Sequence, residues 1–315
     1  MGKKNNGFDA SGVQRMTDAE LSKKLGHYQK MSAAWLLVGV AGAVSGIIAF
    51  FAVQDTARKA ILVTVLFFGG VCCASLFGGG AQKKLKALMQ EQLGDFFRAE
   101  WEKAFGPDIH TPDMRIDEPF MKALHLLDGE WEECTVENFH EGDHGGVHFS
   151  AANVRLDHVY QRGTPREGFE TCRSMAFKGV VIRCETQVPP SSSVLANART
   201  EDSPRGVLTG NDLFDRSFCV TADNGQDAAC LLTPQFIDFL TEFDRDVEGQ
   251  ILGFCWKENT FSLVLETDYG FAAVASNVDL RDLDAVRRSY INSLQEMGRV
   301  LDRLMAGLAL TGTAE

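Results

Sequence analysis

The chain has 315 residues, 45% hydrophobic and 23% charged, with 30 glycines, 8 cysteines and a formal net charge of −12. These figures exclude a fully disordered chain, a collagen and a disulfide-dense scaffold, and the length suits about two folding units. The charge is uneven: residues 1–59 carry +4 and residues 60–315 carry −16. Most of the chain therefore lacks the basic face that nucleic acid requires, and no nucleic-acid partner is expected.

The chain opens on Lys3-Lys4-Asn5-Asn6-Gly7, which reads as a disordered tail. Thr17 and Glu20 have the spacing of a capping box, so a short helix is expected from about Asp18 to Lys30. Met31 to Gln54 and Ala60 to Gln82 contain no Asp, Glu, Lys, Arg or His. Each run is 24 or 23 residues long, enough to cross about 30 Å of hydrocarbon as a helix. The short connector Asp55-Thr56-Ala57-Arg58-Lys59 then makes a helical hairpin. Lys23, Lys24 and Lys30 precede the first run, and Lys83, Lys84 and Lys86 follow the second. Against Arg58 and Lys59 in the connector, this bias places both termini in the cytoplasm. The expected location is a cytoplasmic (inner) membrane crossed by two spans, with the lipid bilayer as first partner. Gly39, Gly42, Ala43 and Gly46 supply small residues four apart, which let helices approach closely. They serve either packing within the hairpin or self-association into a homo-oligomer. Gly78-Gly79-Gly80 is expected to close the second span.

From Gln82 to Phe105, apolar residues recur every three or four positions (Leu85, Leu88, Met89, Leu93, Phe96, Phe97, Trp101, Phe105), the pattern of an amphipathic helix. It lies either on lipid or on protein. The remainder alternates short strands with helices. A short helix is expected at Pro119 to Leu127, and strands at Cys134 to Phe139, Val147 to Tyr160 and Thr171 to Glu185. The change of apolar parity at Gly179 suggests a bulge there. Gln187 to Asn211 is rich in Pro, Ser, Gly and charge and reads as a mobile loop. Phe218 to Thr221 reads as a strand followed by a turn at Asp223-Asn224-Gly225. Thr233-Pro234 starts a helix, with Thr as cap and Pro at the first position. Ile251 to Trp256 and Thr260 to Glu266 form a hairpin. Leu283, Val286, Tyr290, Leu294, Met297, Leu301 and Leu304 mark a long C-terminal helix. The expected class is α+β with an antiparallel-rich sheet. The organisation is a tail with a short helix at 1–30, a transmembrane hairpin at 31–82, a juxtamembrane helix and connector at 83–111 and a cytoplasmic domain at 112–315.

The densest polar segment is His140-Glu141-Gly142-Asp143-His144-Gly145-Gly146-Val147-His148. His140, His144 and His148, with two carboxylates between them, have the donor types for a divalent metal. In a hairpin, His140 would face His148 with His144 at the tip. The competing reading is a polar hairpin with exposed histidines. Cys134, Cys172, Cys184, Cys219, Cys230 and Cys255 form no Cys-x-x-Cys pair, and in a reducing cytoplasm they stay thiols. Phosphate-loop, nucleophile-elbow and His-Glu-x-x-His patterns are absent. Asp212, Asp215, Asp223, Asp238, Asp244 and Asp246 read as a solvated acidic surface.

Met175-Ala176-Phe177-Lys178-Gly179-Val180, Leu213-Phe214-Asp215-Arg216-Ser217-Phe218-Cys219-Val220 and Leu231-Leu232-Thr233-Pro234 follow in order, with a strand hairpin and a terminal helix behind them. With two membrane helices in front, this set resembles the bacterial membrane proteins containing Domain of Unknown Function 3137. The resemblance implies a membrane-tethered domain without an assigned activity, and it supplies no catalytic or cofactor residues. The sequence thus favours a binding or scaffold module, acting on another membrane or membrane-proximal protein, over an enzyme. The alternative is a membrane-bound metal-dependent hydrolase using His140, His144 and His148.

Overall fold

A computed structural model of the protein describes residues 15–52, 56–124, 131–164, 168–186, 193–200, 203 and 206–311. The tail at Lys3 to Gly7 and the start of the connector at Asp55 lie outside the described residues. The chain divides into two compact units, residues 1–99 with 276–288, and residues 100–275 with 289–315.

In the first unit, helix α1 runs without interruption over Asp18–Ala52. The capping box closes as its spacing demands: Thr17 N–H donates to Glu20 Oε2 and Glu20 N–H donates to Thr17 Oγ1, both at 3.3 Å. Among the described residues, α1 is the one helix long and apolar enough to cross a membrane. Its apolar side chains point outward, with Leu37 at 66% and Phe51 at 79% exposure. The expected second span is not one continuous α-helix. It consists of α2 (Thr56–Val63), a π-helical turn (Thr64–Phe68), α3 (Gly69–Cys73) and a second π-helical turn (Ala74–Gly78). The triple glycine does not end this run either, because α4 (Gly79–Phe105) continues directly from it. Glycine lowers helix propensity by only about 1 kcal/mol, and the residues on both sides are helix formers.

The chain from Leu66 to Gly78 lies antiparallel against α1. A Cβ on Gly46 would sit 2.9 Å from Phe67 Cβ, and one on Gly42 would sit 2.7 Å from Leu66 O and 2.8 Å from Gly70 Cα. One on Gly39 would sit 2.7 Å from Ala74 Cβ. The glycines are therefore spent on contact within the chain; Ala43 beside them is half-buried. Trp35 stacks on Phe77 at 4.7 Å.

Nearer its start, α1 meets protein. Leu21 and Leu25 are buried, as are Leu88 and Leu93 of α4. Met16 N–H donates to Gln92 Oε1 at 2.9 Å, and Arg15 pairs with Asp95. Residues 276–288 close the bundle. Gln29 donates to Val278 O at 2.8 Å and accepts from Leu280 N–H at 3.1 Å. Ser22 donates to Arg281 O, and Arg287 pairs with Asp18 at 3.2 Å. In this part α4 lies on protein.

The second unit holds a seven-stranded antiparallel sheet in the order β1-β2-β3-β7-β6-β4-β5. Its strands are β1 (Glu133–His144), β2 (Val147–Thr164), β3 (Gly168–Glu185), β4 (Val194–Ala198), β5 (Phe218–Ala222), β6 (Gln250–Lys257) and β7 (Thr260–Glu266). Helices α5 (Glu118–Leu124), α6 (Asp212–Ser217), α7 (Gly225–Leu231), α8 (Pro234–Asp246) and α9 (Leu283–Leu308) complete the chain. One sheet face carries Phe254, Trp256 and Phe261 against Phe236 of α8, with Phe236 and Trp256 rings 5.1 Å apart. The other face packs Val154, Leu156, Phe177, Val181 and Val264 against Ile116, Met121 and Leu124. Each such side chain contributes about 1.5–3 kcal/mol on burial. All seven positions expected on the apolar stripe of α9 are buried. Thr233 caps α8 by accepting from Phe236 N–H at 3.2 Å. Asp223-Asn224-Gly225 leads into α7, with Asn224 as its cap.

Two expectations are corrected. The segment Gln187 to Asn211 is not one loop, since β4 lies within it, hydrogen-bonded on both sides; residues 187–192, 201–202 and 204–205 lie outside the described residues. The bulge is at Ala176 and not at Gly179: Leu156 pairs with Phe177 and Asp157 with Met175, while Val154 pairs regularly with Gly179. Both faces of β3 are covered there, so apolar parity carries no register information. Gly179 answers a different need, because a Cβ on it would lie 1.9 Å from Leu265 O. Past Asp157, β2 and β3 outrun their neighbours and continue as a two-stranded ribbon from His158↔Ser174 to Thr164↔Gly168. Tyr160 and Phe169 are exposed on it.

Candidate functional site

The β1–β2 hairpin turns at Gly145-Gly146, with φ of 59° and 81°. Two adjacent residues at positive φ suit a two-residue hairpin turn, and glycine takes them without strain. This turn fixes the register and corrects the expected arrangement. His144 is not the tip but pairs with Val147; His148 pairs with Asp143, and His140 pairs with Ala151. Side chains alternate along a strand. His140 and His144 therefore share one face with Gly142, and His148 shares the opposite face with Glu141 and Asp143. The three histidines are not brought to one point.

Each imidazole instead meets its own carboxylate. His140 Nδ1 lies 2.8 Å from Asp108 Oδ2, and its ring stacks on buried Trp101 at 4.4 Å. His144 Nε2 lies 2.7 Å from Asp302 of α9. His148 is held at both nitrogens, by Glu141 Oε1 at 2.9 Å and Asp143 Oδ1 at 3.0 Å. Gly142 is required between the first two histidines, because a Cβ there would lie 2.7 Å from Phe105 O.

Glu141 is fully buried. It accepts from Thr111 N–H at 2.8 Å, from the Thr111 hydroxyl at 2.5 Å and from His148. Asp108 accepts from Glu141 N–H at 2.9 Å, and its Oδ1 also lies 3.1 Å from His110 Nε2. These bonds wrap residues 108–111 over β1, the edge strand of the sheet. They cap a backbone donor that would otherwise invite strand addition. The network also shapes its own charges. Burial tends to raise the Asp108 pKa, but the bonds from His140 and Glu141 N–H and the neighbouring imidazoles outweigh it, and the pKa is lowered. Burial tends to lower the His148 pKa, but Glu141 and Asp143 outweigh it, and the pKa is raised. Chemically this is a set of charge-assisted clamps. It would need to be taken apart before the three histidines could share a metal.

Asp108, Thr111 and Asp302 were not marked by any spacing in the sequence. They arrive from a loop and from α9, 30 to 158 residues away from their partners. Cys184, Cys219 and Cys255 are buried, and all eight cysteines are free thiols. Burial pushes the Cys134 thiol up to about 11, so it is no thiolate near neutrality.

No family model matches the chain, and no curated protein matches it. Among solved structures, a crystal structure of the mycobacterial trehalose monomycolate transport factor A, TtfA, is similar over 67% of this chain and 95% of its own, at 11% identity and a TM-score of 0.30.

Proposed function

We propose that the chain is a membrane-anchored binding module of a bacterial cytoplasmic membrane, whose sheet domain faces the cytoplasm and engages another membrane or membrane-proximal protein. One observation carries the reading. The outward side of α1 from Leu36 to Phe51 is a run of exposed apolar side chains, larger than a water-facing surface sustains. The antiparallel chain from Leu66 to Gly78 supports a second crossing, and the lysines at 23, 24, 30, 83, 84 and 86 support cytoplasmic ends. The resemblance to Domain of Unknown Function 3137 proteins fits the same arrangement. Binding is favoured over catalysis because the polar cluster is committed to internal clamps, whereas the β2–β3 ribbon exposes Tyr160 and Phe169. Anchoring raises the module's effective concentration toward neighbours in the same membrane.

The test combines topology with capture. In sealed cells, a membrane-impermeant thiol reagent should leave the exposed Cys230 unlabelled until permeabilisation. The full-length protein, cross-linked and solubilised in mild detergent, should retain a near-stoichiometric partner that is lost when residues 160–172 are replaced by a short glycine turn. Labelling of Cys230 from outside would refute the topology. A partner unaffected by ribbon removal would refute the ribbon's role.

A further inference from the structure

Beside the histidine network, on the α5 face of the sheet, lies an open cavity of about 950 Å³, at the upper end of the roughly 300–1,000 Å³ range of small-ligand sites. Ile116, Phe120, Val136 and Phe139 give it apolar walls, and its charged lining is Arg115 and Arg183 with Asp113, Asp117 and Glu118. Arg183 is only 8% exposed. Its Nη1 donates to Arg115 O at 3.0 Å, and its guanidinium lies 4.3 Å over the Phe120 ring. Its Nε is buried with no hydrogen-bond partner. Among the described residues no carboxylate comes within ion-pair distance of it. A buried guanidinium without a counter-ion is costly. The nearby acids are committed elsewhere: Asp117 pairs with Arg115 and caps α5, Glu118 pairs with Lys122, and Glu141 holds Thr111 and His148.

We infer that this cavity binds a small apolar monocarboxylate, its carboxylate completing the Arg183 fork and its apolar body lying against Phe120, Val136 and Phe139. The guanidinium fork matches a planar carboxylate. Of the three carboxylates on the cavity wall, Asp117 and Glu118 are paired with Arg115 and Lys122, and Asp113 sets the charge limit: one negative charge is balanced by Arg183, and a second meets Asp113. Phosphate esters, dianionic near neutrality, are therefore disfavoured.

The probes are N-acetylphenylalanine, its neutral amide and phenyl phosphate, titrated into the full-length protein in detergent by calorimetry and saturation-transfer NMR. The acid should bind at least about tenfold tighter than the amide, since a charge-assisted bond contributes at least that much; the amide also reports any uptake by the micelle. Arg183→Lys keeps the charge but loses the planar fork, so it should narrow the difference. Asp113→Asn, at an exposed position, should tighten the acid and admit phenyl phosphate. Equal binding of acid and amide, or no binding of the acid, overturns the inference, as does a folded Arg183→Lys protein that binds like the parent. Should Arg183→Lys not fold, Asp113→Asn decides, and unchanged affinities for both anions would refute the site. Free phenylalanine and a tripeptide ending in phenylalanine then assign the carboxylate to a free amino acid or to a peptide end.

Discussion

Glu141→Gln tests the clamp at its most buried point. The change preserves shape but removes the charge and replaces an acceptor by an amide NH2. Glu141 faces three donors: Thr111 N–H, the Thr111 hydroxyl and His148 Nε2. A glutamine offers one oxygen, so with His148 protonated at least one buried donor is left facing another donor. An unsatisfied buried donor costs about 1–3 kcal/mol, and the loss of charge assistance adds to it. The expected destabilisation is about 2–4 kcal/mol, or roughly 5–15 °C in melting temperature for a domain of this size. It would be read by scanning fluorimetry of the full-length protein in detergent. The loss should depend on pH with a defined sign. His148 has a folded pKa above its unfolded value of about 6.5. Its contribution is therefore complete below that value and fades as pH rises through the folded pKa. The gap between parent and variant should be widest in mild acid and narrow above the raised pKa, keeping the Thr111 share. In the variant, the His148 ring should titrate lower by NMR. Equal melting temperatures at pH 6, or an unmoved His148 titration, would refute the clamp.

Asp108→Asn should show the opposite pH sign: because the Asp108 pKa is lowered, the parent's advantage is present above about pH 4 and disappears as acid protonates the carboxylate, which acid-unfolding curves of the two proteins would show. Gly179→Ala drives a methyl group into Leu265 O and should prevent β3 from pairing with β7, yielding aggregated protein; normal yield and melting would count against that close approach. Trp35→Cys with Gly78→Cys places two Cβ atoms 3.5 Å apart, within disulfide range, and should form an intramolecular cross-link on mild oxidation, seen as a mobility shift of the monomer on a non-reducing gel. Adding Gly42→Ile should abolish that cross-link, and a cross-link that survives would mean the glycine face does not set the helix contact.

How much the sequence could tell depended on the range of the interaction. The caps at Thr17 and Thr233, and the stripe of α9, are written within a few residues, and spacing alone exposes them. The β6–β7 hairpin is legible for the same reason. The His140–His148 arrangement was missed by three residues of register, since His140 pairs with Ala151, because register depends on which residues can take positive φ. Gly145-Gly146 does so more cheaply than any turn centred on His144. β4 was hidden by composition: Val194–Ala198 is short and flanked by prolines and serines, and its pairing partners come from β5 and β6. The counterparts of the histidines and of Gln29 lie far along the chain. No local pattern names them.

The clamp on α1 has a consequence for the order in which the protein is made. Gln29 finds its backbone partner at Val278, 249 residues later. At roughly 5–20 residues per second, the ribosome takes from about ten seconds to most of a minute to supply it. During that interval α1 is already synthesised, yet Ser22 and Gln29 lack the partners at Arg281, Val278 and Leu280 that hold its start. A nascent chain in that condition leaves the start of α1 without these bonds. A chain stopped before residue 276 would remain so, making the closing of this bundle a checkpoint between finished and unfinished copies.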